Sequence, residues 1–370
     1  MAITANGNGR FNNALNTNSV YQSGSTSILY NMIIDMTVLT DNFKGSDLYS
    51  KQVREAGLYG DKSVFIASQP QAVETWEGHE AESAKLLATN YNKDITTEQV
   101  VITEKFMSST TTDQYESKKA FLDEGGFSGF VALMKGFVAD AQRIHKALTY
   151  NAYCGTVEKT SQGVYEIEVD LNQAGKSSGE AIGEAVANLI SAMDDYTDQY
   201  NSLGYLRRYA PEDIKIVFNN DYRNGVRYVD LPSVFHNDRL EKVFEGFDNL
   251  NARFFGTVNA TDTEGDDATV RSLVEQDITV TGGTTVKHYK PGDLINDNYV
   301  APAGTSYTVD GDIIAKVFVK LPIYLTGWTA ATEFTNARGL TNTNFLIWTE
   351  SKPYALDAYP VITIKAKASN

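Results

Sequence analysis

Four histidines, His79, His145, His236 and His288, are the first residues to test for chemistry, because an imidazole binds zinc or moves a proton near neutral pH. They stand more than 50 residues apart, with no HExxH, no pair at helical spacing and no cysteine partner, so they specify no metal centre. His145 falls inside an amphipathic pattern and reads as a polar-edge residue of a helix. Cys154 is the sole cysteine, which excludes an intrachain disulfide and a cysteine-rich zinc or iron–sulfur site. Beside Tyr153 it reads as a buried small hydrophobe, not a nucleophile. Adjacent carboxylates such as Asp123-Glu124 and Asp194-Asp195 have the residue types of an acid and a base. In a chain with 47 acids, however, such neighbours arise by chance and mostly decorate solvent faces. There is no GxSxG elbow, no GxxxxGK[ST] loop and no GxGxxG opening a helix after a strand; the NGNGR stretch, Asn6 to Arg10, is a flexible start. Thr263 to Asp267 (TEGDD) has half the spacing of a calcium loop and reads as a surface turn. No catalytic residue, cofactor or metal ligand is assigned.

The elements that would position any site come next. The chain has 370 residues with 32 basic and 47 acidic side chains, a formal charge of −15. That excludes a strongly basic nucleic-acid binder, whose affinity rests on neutralised phosphates. A hydrophobic fraction of 42% is enough for a sizeable core in two or so domains. No stretch approaches the roughly 18 apolar residues of a membrane span, and the first 27 residues carry no signal-like apolar region, so no membrane partner is expected. The 21 Tyr and 17 Phe, with abundant Asn, Thr and Gly, suit strands and large contact surfaces.

Residues 1–27 are polar with isolated anchors Phe11, Leu15, Val20 and Tyr21, an extended arm. Ser46 to Ala56 reads as a short polar helix opened by a Ser N-cap. Two β-prone runs, Lys62 to Ser68 and Gln99 to Met107, are separated by 30 residues, far beyond a hairpin connection. A long projecting β-loop, paired at its base, fits this spacing as well as an ordinary acidic insertion does. Phe130, Met134, Phe137, Ala141, Ile144 and Leu148 then step by four and three, predicting a long helix with this stripe against strands and Lys135 and Arg143 exposed. A second helix is predicted from Ile182, Val186, Leu189, Met193, Tyr196 and Tyr200, with Ser177 and Glu180 as a capping box. Asp213 to Phe218 reads as a buried strand, the chain is β-rich from Phe254, and residues 353–368 end in an alternating strand. The class is α+β.

This order of elements resembles the tailed-bacteriophage major capsid protein family. The likeness rests on the arm, on the loop at about 57–107, on Phe127 to Tyr153 (FSGFVALMKGFVADAQRIHKALTYNAY) and on the later DIKIVF, DIIAKVFVKLPIYLTGW and PYALDAYPVITIKAKA segments. It implies a fold with an N-terminal arm (1–45), an extended loop and its base (46–110), a peripheral domain with a spine helix (111–171), an axial domain with a β-rich insertion (172–311) and return strands (312–370). It further implies a non-enzymatic subunit of an icosahedral shell around double-stranded DNA, in hexamers and pentamers, assembled in the bacterial cytoplasm. Implied partners are a separate scaffolding protein, a portal, weakly held DNA and a possible decoration protein. An extracellular or virion-surface carbohydrate-binding protein or hydrolase, and a tail-tube or sheath subunit, are the competing readings.

Candidate inter-subunit contacts are read from charge. Glu74, Glu77 and Glu80 surround Trp76 in the loop, whereas Arg207, Arg208, Arg223 and Arg227 lie mid-chain. Acidic tips are expected to land on basic surface of a neighbour, with Trp76 as anchor; the competing expectation is a solvated acidic face, with the arginines paired locally to Asp213, Asp221 and Asp230.

Overall fold

The computed structural model describes residues 48, 53–55, 62–70, 73, 95–113, 124–159, 165–223, 247–265 and 269–367. In chain order the strands are β1 (Val53–Glu55), β2 (Lys62–Ser68), β3 (Ile95–Val101), β4 (Glu104–Asp113), β5 (Glu166–Val169), β6 (Lys215–Asn219), β7 (Asp248–Leu250), β8 (Gly256–Val258) and β9 (Thr263–Glu264). They continue as β10 (Val270–Ser272), β11 (Gln276–Thr279), β12 (Val286–Tyr289), β13 (Val300–Ala301), β14 (Ser306–Val309), β15 (Ile313–Phe318), β16 (Tyr324–Asn336), β17 (Thr341–Glu350) and β18 (Val361–Ala366). Helix α1 (Glu124–Thr156) lies between β4 and β5, and α2 (Ser178–Met193) follows β5. The α+β expectation agrees with this order.

The centre is a five-stranded sheet in the order β5-β18-β15-β6-β7. One face is covered by α2. Ile182, Val186, Leu189 and Met193 pack on Ile216, Phe218, Val317, Ile362 and Ile364. Helix α2 starts where the sequence marks it, with the Ser177 hydroxyl accepting from the Glu180 amide and the Glu180 carboxylate accepting from the Ser177 amide. Tyr196 and Tyr200 fall beyond its end, and Tyr196 is exposed. The opposite sheet face meets the last turns of α1, with Tyr150, Ala152 and Cys154 packed among Val217, Phe318 and Val361. Because both faces are covered, Val361 to Ile364 are all buried, so the final strand lacks the expected half-buried alternation.

A register shift between Ile313 and Ala315 turns Ile314 and Ala315 both toward α2 and leaves Lys316 on the α1 side. Its ammonium is fully buried and donates to the Val157 carbonyl at 3.2 Å and the Thr363 hydroxyl at 2.8 Å, with Glu158 at 3.5 Å. Burial, offset in part by Glu158, lowers its pKa to about 8. The C-terminal turn of α1 contains no basic residue, so a strand distant in sequence places a cation at the negative end of the helix.

A second sheet, β1-β16-β17-β4, packs its inner face on α1. Three expectations change here. The helix predicted over Ser46 to Ala56 is helical at Leu48, but Val53–Glu55 is a strand paired in parallel with Tyr324–Thr326; pairing to a sheet edge overrides weak local propensity. The run Gln99 to Met107 is divided between β3 and β4, which belong to different sheets. The buried line of α1 runs through Val138, His145, Thr149 and Ala152, one residue on from the expected stripe. Phe137, Ile144 and Leu148 are half-buried beside it, Ala141 is exposed, and Lys135 and Arg143 are exposed as expected. The stripe is broad because α1 meets a sheet on one side and residues 254–258 on another.

The region from β8 to β14 forms small sheets, β10-β14-β8, β11-β12 and β9-β13, around Val270, Ile278, Tyr289, Ile295 and Ala301. Among the described residues, no helix is long and apolar enough to cross a membrane.

Candidate assembly surfaces

The β2-β3 ribbon is one-sided. Its antiparallel register sets Lys62 opposite Val101, Val64 opposite Gln99, Ile66 opposite Thr97 and Ser68 opposite Ile95. Strand alternation therefore turns Phe65, Glu98 and Val100 inward, where Phe65 and Val100 join Ile323, Leu325 and Leu356. The Glu98 carboxylate accepts from the Asp357 amide at 2.9 Å. On the outer side Val64 and Ile66 are 53% and 72% exposed, and Ile95 and Val101 are exposed with them. Four apolar side chains on one face of a ribbon are the texture of a surface meant to be covered.

A second such face lies on the sheet β16-β17-β4. Its register aligns Ala330, Ile347 and Met107 in one row and Phe334, Thr343 and Thr111 in another. These rows point away from α1, and Met107 and Phe334 are 60% and 62% exposed. On the α1 side, a groove of about 340 Å³ is lined by Val138, Ala139, Ala331 and Leu346, with Lys135 and Glu333 paired at 3.5 Å.

Of the residues read from charge, Glu74, Trp76, Glu77, Glu80 and Arg227 lie outside the described residues. Arg207 donates to the Ser68 carbonyl at 2.5 Å and lies over the Tyr205 ring. Arg208 donates to the Asp194 carbonyl at 2.7 Å and its carboxylate at 2.9 Å, closing the C-terminus of α2. Arg223 sits half-buried in a helical turn at 220–223. Arg207 and Arg208 line a cleft of about 450 Å³ with Lys320, Asp213, Glu98 and the ribbon residues Phe65 to Ser68. The structure thus brings these two arginines to the ribbon base of their own chain. Local pairing uses Asp194 and a backbone carbonyl, partners that charge counting did not name.

The group that sequence reasoning missed is centred on His145, which is buried, not at a polar edge. Its Nδ1 is hydrogen-bonded to Glu275, and its Nε2 contacts Glu350 Oε1 at 2.7 Å. The ring lies 4.3 Å from the Phe106 centroid and edge-on to Trp348 at 5.7 Å. Trp348 Nε1 donates to Glu350 Oε2 at 3.0 Å. Beyond Glu275, His288 bridges Glu275 Oε1 at 2.9 Å and Asp277 Oδ1 at 2.8 Å. Burial works to lower the His145 pKa, but the hydrogen bonds and charges of Glu275 and Glu350 outweigh it and raise the value to about 9. Burial likewise works against the Glu275 carboxylate, yet the two histidines hold its pKa below the ordinary value. The carboxylates lie 130 and 205 positions from His145 in sequence, so no local spacing signals them. Among the described residues no group of histidine, cysteine and carboxylate side chains is arranged to hold a metal. Cys154 is buried and burial pushes its thiol up to about 12, which removes it as a nucleophile at neutral pH.

The fold has counterparts among phage head proteins. A chain of the capsid structure of Staphylococcus phage Andhra superposes with a TM-score of 0.58 at 12% identity, covering 85% of this chain and 83% of that one. A chain from the structure of the head fiber and inner core protein gp22 of native bacteriophage P68 gives 0.57 at 10% identity, with the same coverages, 85% and 83%. Identity this low shows shared fold alone. No curated protein sequence matches the chain. The family of Phi29-like phage major capsid proteins matches residues 2–358, and the chain belongs to that family. It is a structural subunit that assembles with copies of itself into the capsid shell of a phage virion. The carbohydrate-binding, hydrolase and tail-tube readings are not favoured.

Proposed function

We propose that the chain builds an icosahedral shell around the double-stranded DNA of a tailed phage, as hexamers and pentamers, without catalysing a reaction. In this reading α1 is the spine of a peripheral domain spanning 111–171 and the return strands 312–370. The β2-β3 ribbon is the base of an extended loop within 46–110, residues 172–311 form the axial domain, and residues 1–45 form the arm. The observation that carries it is the pair of one-sided apolar faces, Val64 and Ile66 on the ribbon and Met107 and Phe334 on the sheet. A lone subunit leaves both in water, whereas a repeated shell covers each against a neighbour. Assembly takes place in the bacterial cytoplasm with a separate scaffolding protein and a portal, and the outer surface is free to take a decoration protein. The charge of −15 keeps contact with packaged DNA weak.

The acids Glu74, Glu77 and Glu80, with Trp76 as anchor, meet basic surface of an adjacent subunit to which Arg207, Arg208, Arg223 and Arg227 contribute. Glu74→Lys combined with Glu77→Lys is therefore expected to slow shell assembly and to change its salt dependence, read by light scattering across a salt series. Unchanged assembly and salt response would remove the acids from the interface while leaving the apolar contacts of the ribbon untouched.

A further inference from the structure

We propose that His145 is a proton-operated latch, fastening the β11-β12 hairpin to α1 and to the sheet edge at β17 while its ring carries a proton on both nitrogens. Each nitrogen faces a carboxylate oxygen, and because a neutral imidazole has one N–H to donate, two ionised carboxylates are both satisfied only by the charged ring. Loss of the proton would set a bare nitrogen lone pair against a carboxylate in a buried place, where little water can screen the repulsion. Glu350 is buried, with its oxygens on His145 and Trp348, and so has no low-cost alternative partner. Glu275 is the opposite case. It immediately precedes β11 and is partly open to solvent, so a broken contact there releases the start of the hairpin from α1.

The groups around the latch are these. Glu350 comes from β17, with Glu104 of β4 opposite it in register and paired to Lys352 at 3.8 Å. The rings of Phe106 and Trp348 cover the imidazole. From the hairpin come Glu275, with His288 and Asp277 behind it, and Lys287 over Tyr289. On α1 itself Arg143 is paired with Asp140 at 3.2 Å, and Lys146 is adjacent in sequence. His288 also faces a carboxylate at each nitrogen, but it is half-exposed, and water replaces its partners at little cost. The buried ring is thus the group whose charge decides whether the hairpin is tied to α1, while Ile278 and Tyr289 keep its other side in the small-sheet core.

The sign of the pH dependence follows from a folded-state pKa of about 9 against an ordinary 6.5. The stabilisation is fully present below pH 6.5 and is lost as pH rises through about 9. At the acid end, Glu275 is held below its ordinary value; its share is present above that value and lost as pH falls through the depressed one.

Hydrogen–deuterium exchange on assembled shells, read by mass spectrometry and corrected for intrinsic base catalysis, tests the latch. In the wild-type shell the peptide covering 275–289 is expected to lose protection by roughly tenfold or more between pH 7.5 and 10, while the peptide covering β15 keeps it. Glu275→Gln removes the charge that faces His145 Nδ1 and leaves the His145–Glu350 pair in place. It should show the loosened hairpin already at pH 7.5 and no step near pH 9. His145→Gln should do the same where it folds, and Glu275→Gln decides the matter where it does not. A step that persists in Glu275→Gln, or a wild-type hairpin equally protected at pH 7.5 and 10, would overturn the proposal.

Discussion

Subunits carrying Val64→Asp with Ile66→Asp should stay folded and fail to close shells under conditions where the unaltered chain does. Both side chains point away from the body on a ribbon held by the opposite face, through Phe65, Val100 and the Glu98 contact to the Asp357 amide, so the core is untouched. Burying a Val or Ile side chain contributes about 1.5–3 kcal/mol. With Val64 and Ile66 exposed to 53% and 72%, the pair supplies about 2 kcal/mol or more per contact, and losing that much raises the concentration needed for assembly roughly thirtyfold or more. Burying an unpaired carboxylate costs further. Aspartate also disfavours strand, by about 1 kcal/mol at most, and the Val64→Thr, Ile66→Thr pair controls for this by keeping β-branched side chains. Sedimentation of the purified variants separates the outcomes: normal shells from the aspartate pair would show that the outer ribbon face is not an assembly contact.

Gly155→Ala is expected to destabilise the fold by about 3 kcal/mol, against the roughly 1 kcal/mol gain that alanine brings to a helix interior. Gly155 sits in the last turn of α1, where that helix crosses the backbone at Phe254. A β-carbon there would lie 2.1 Å from the Phe254 carbonyl oxygen and 3.3 Å from the Phe255 nitrogen. Neither is a flexible side-chain end, so α1 and the 3-10 turn Ala252–Phe254 must part. Around this crossing, Tyr150, Cys154, Phe254, Phe255 and Tyr307 share one core, and the movement spreads through it. Thermal unfolding of the dispersed subunit reads the effect. A variant as stable as the parent, or more so, would mean that the helix does not approach the Phe254 backbone this closely.

Features written in nearby residues were legible before the structure. The Ser177–Glu180 capping box and the stripe Ile182, Val186, Leu189 and Met193 were, because capping and a single covered face act within a few turns. Helix α1 was legible in extent but not in phase. Its bulky residues Phe137, Ile144 and Leu148 flank the contact, while smaller or polar ones, Val138, His145, Thr149 and Ala152, occupy it, because two layers press on the helix. The ribbon base was visible as two β-prone runs, yet the passage of the second run from one sheet to another at Ile102 and Thr103 has no breaker residue to announce it. What holds His145, Lys316 and Arg208 is set by contacts across 14 to 205 positions, and spacing carries no trace of such partners. The same holds for the candidate contacts: the ribbon's apolar face follows from strand alternation once pairing is known, and charge counting carries no sign that Arg207 and Arg208 line a cleft at the ribbon base of their own chain.

Electron microscopy of the purified chain, taken with its virion where that is in hand, tests shell formation most directly. Closed shells of uniform diameter, with walls built of this subunit in five- and sixfold clusters, are the expected result. Tubes, or discrete soluble molecules that never close, would contradict it.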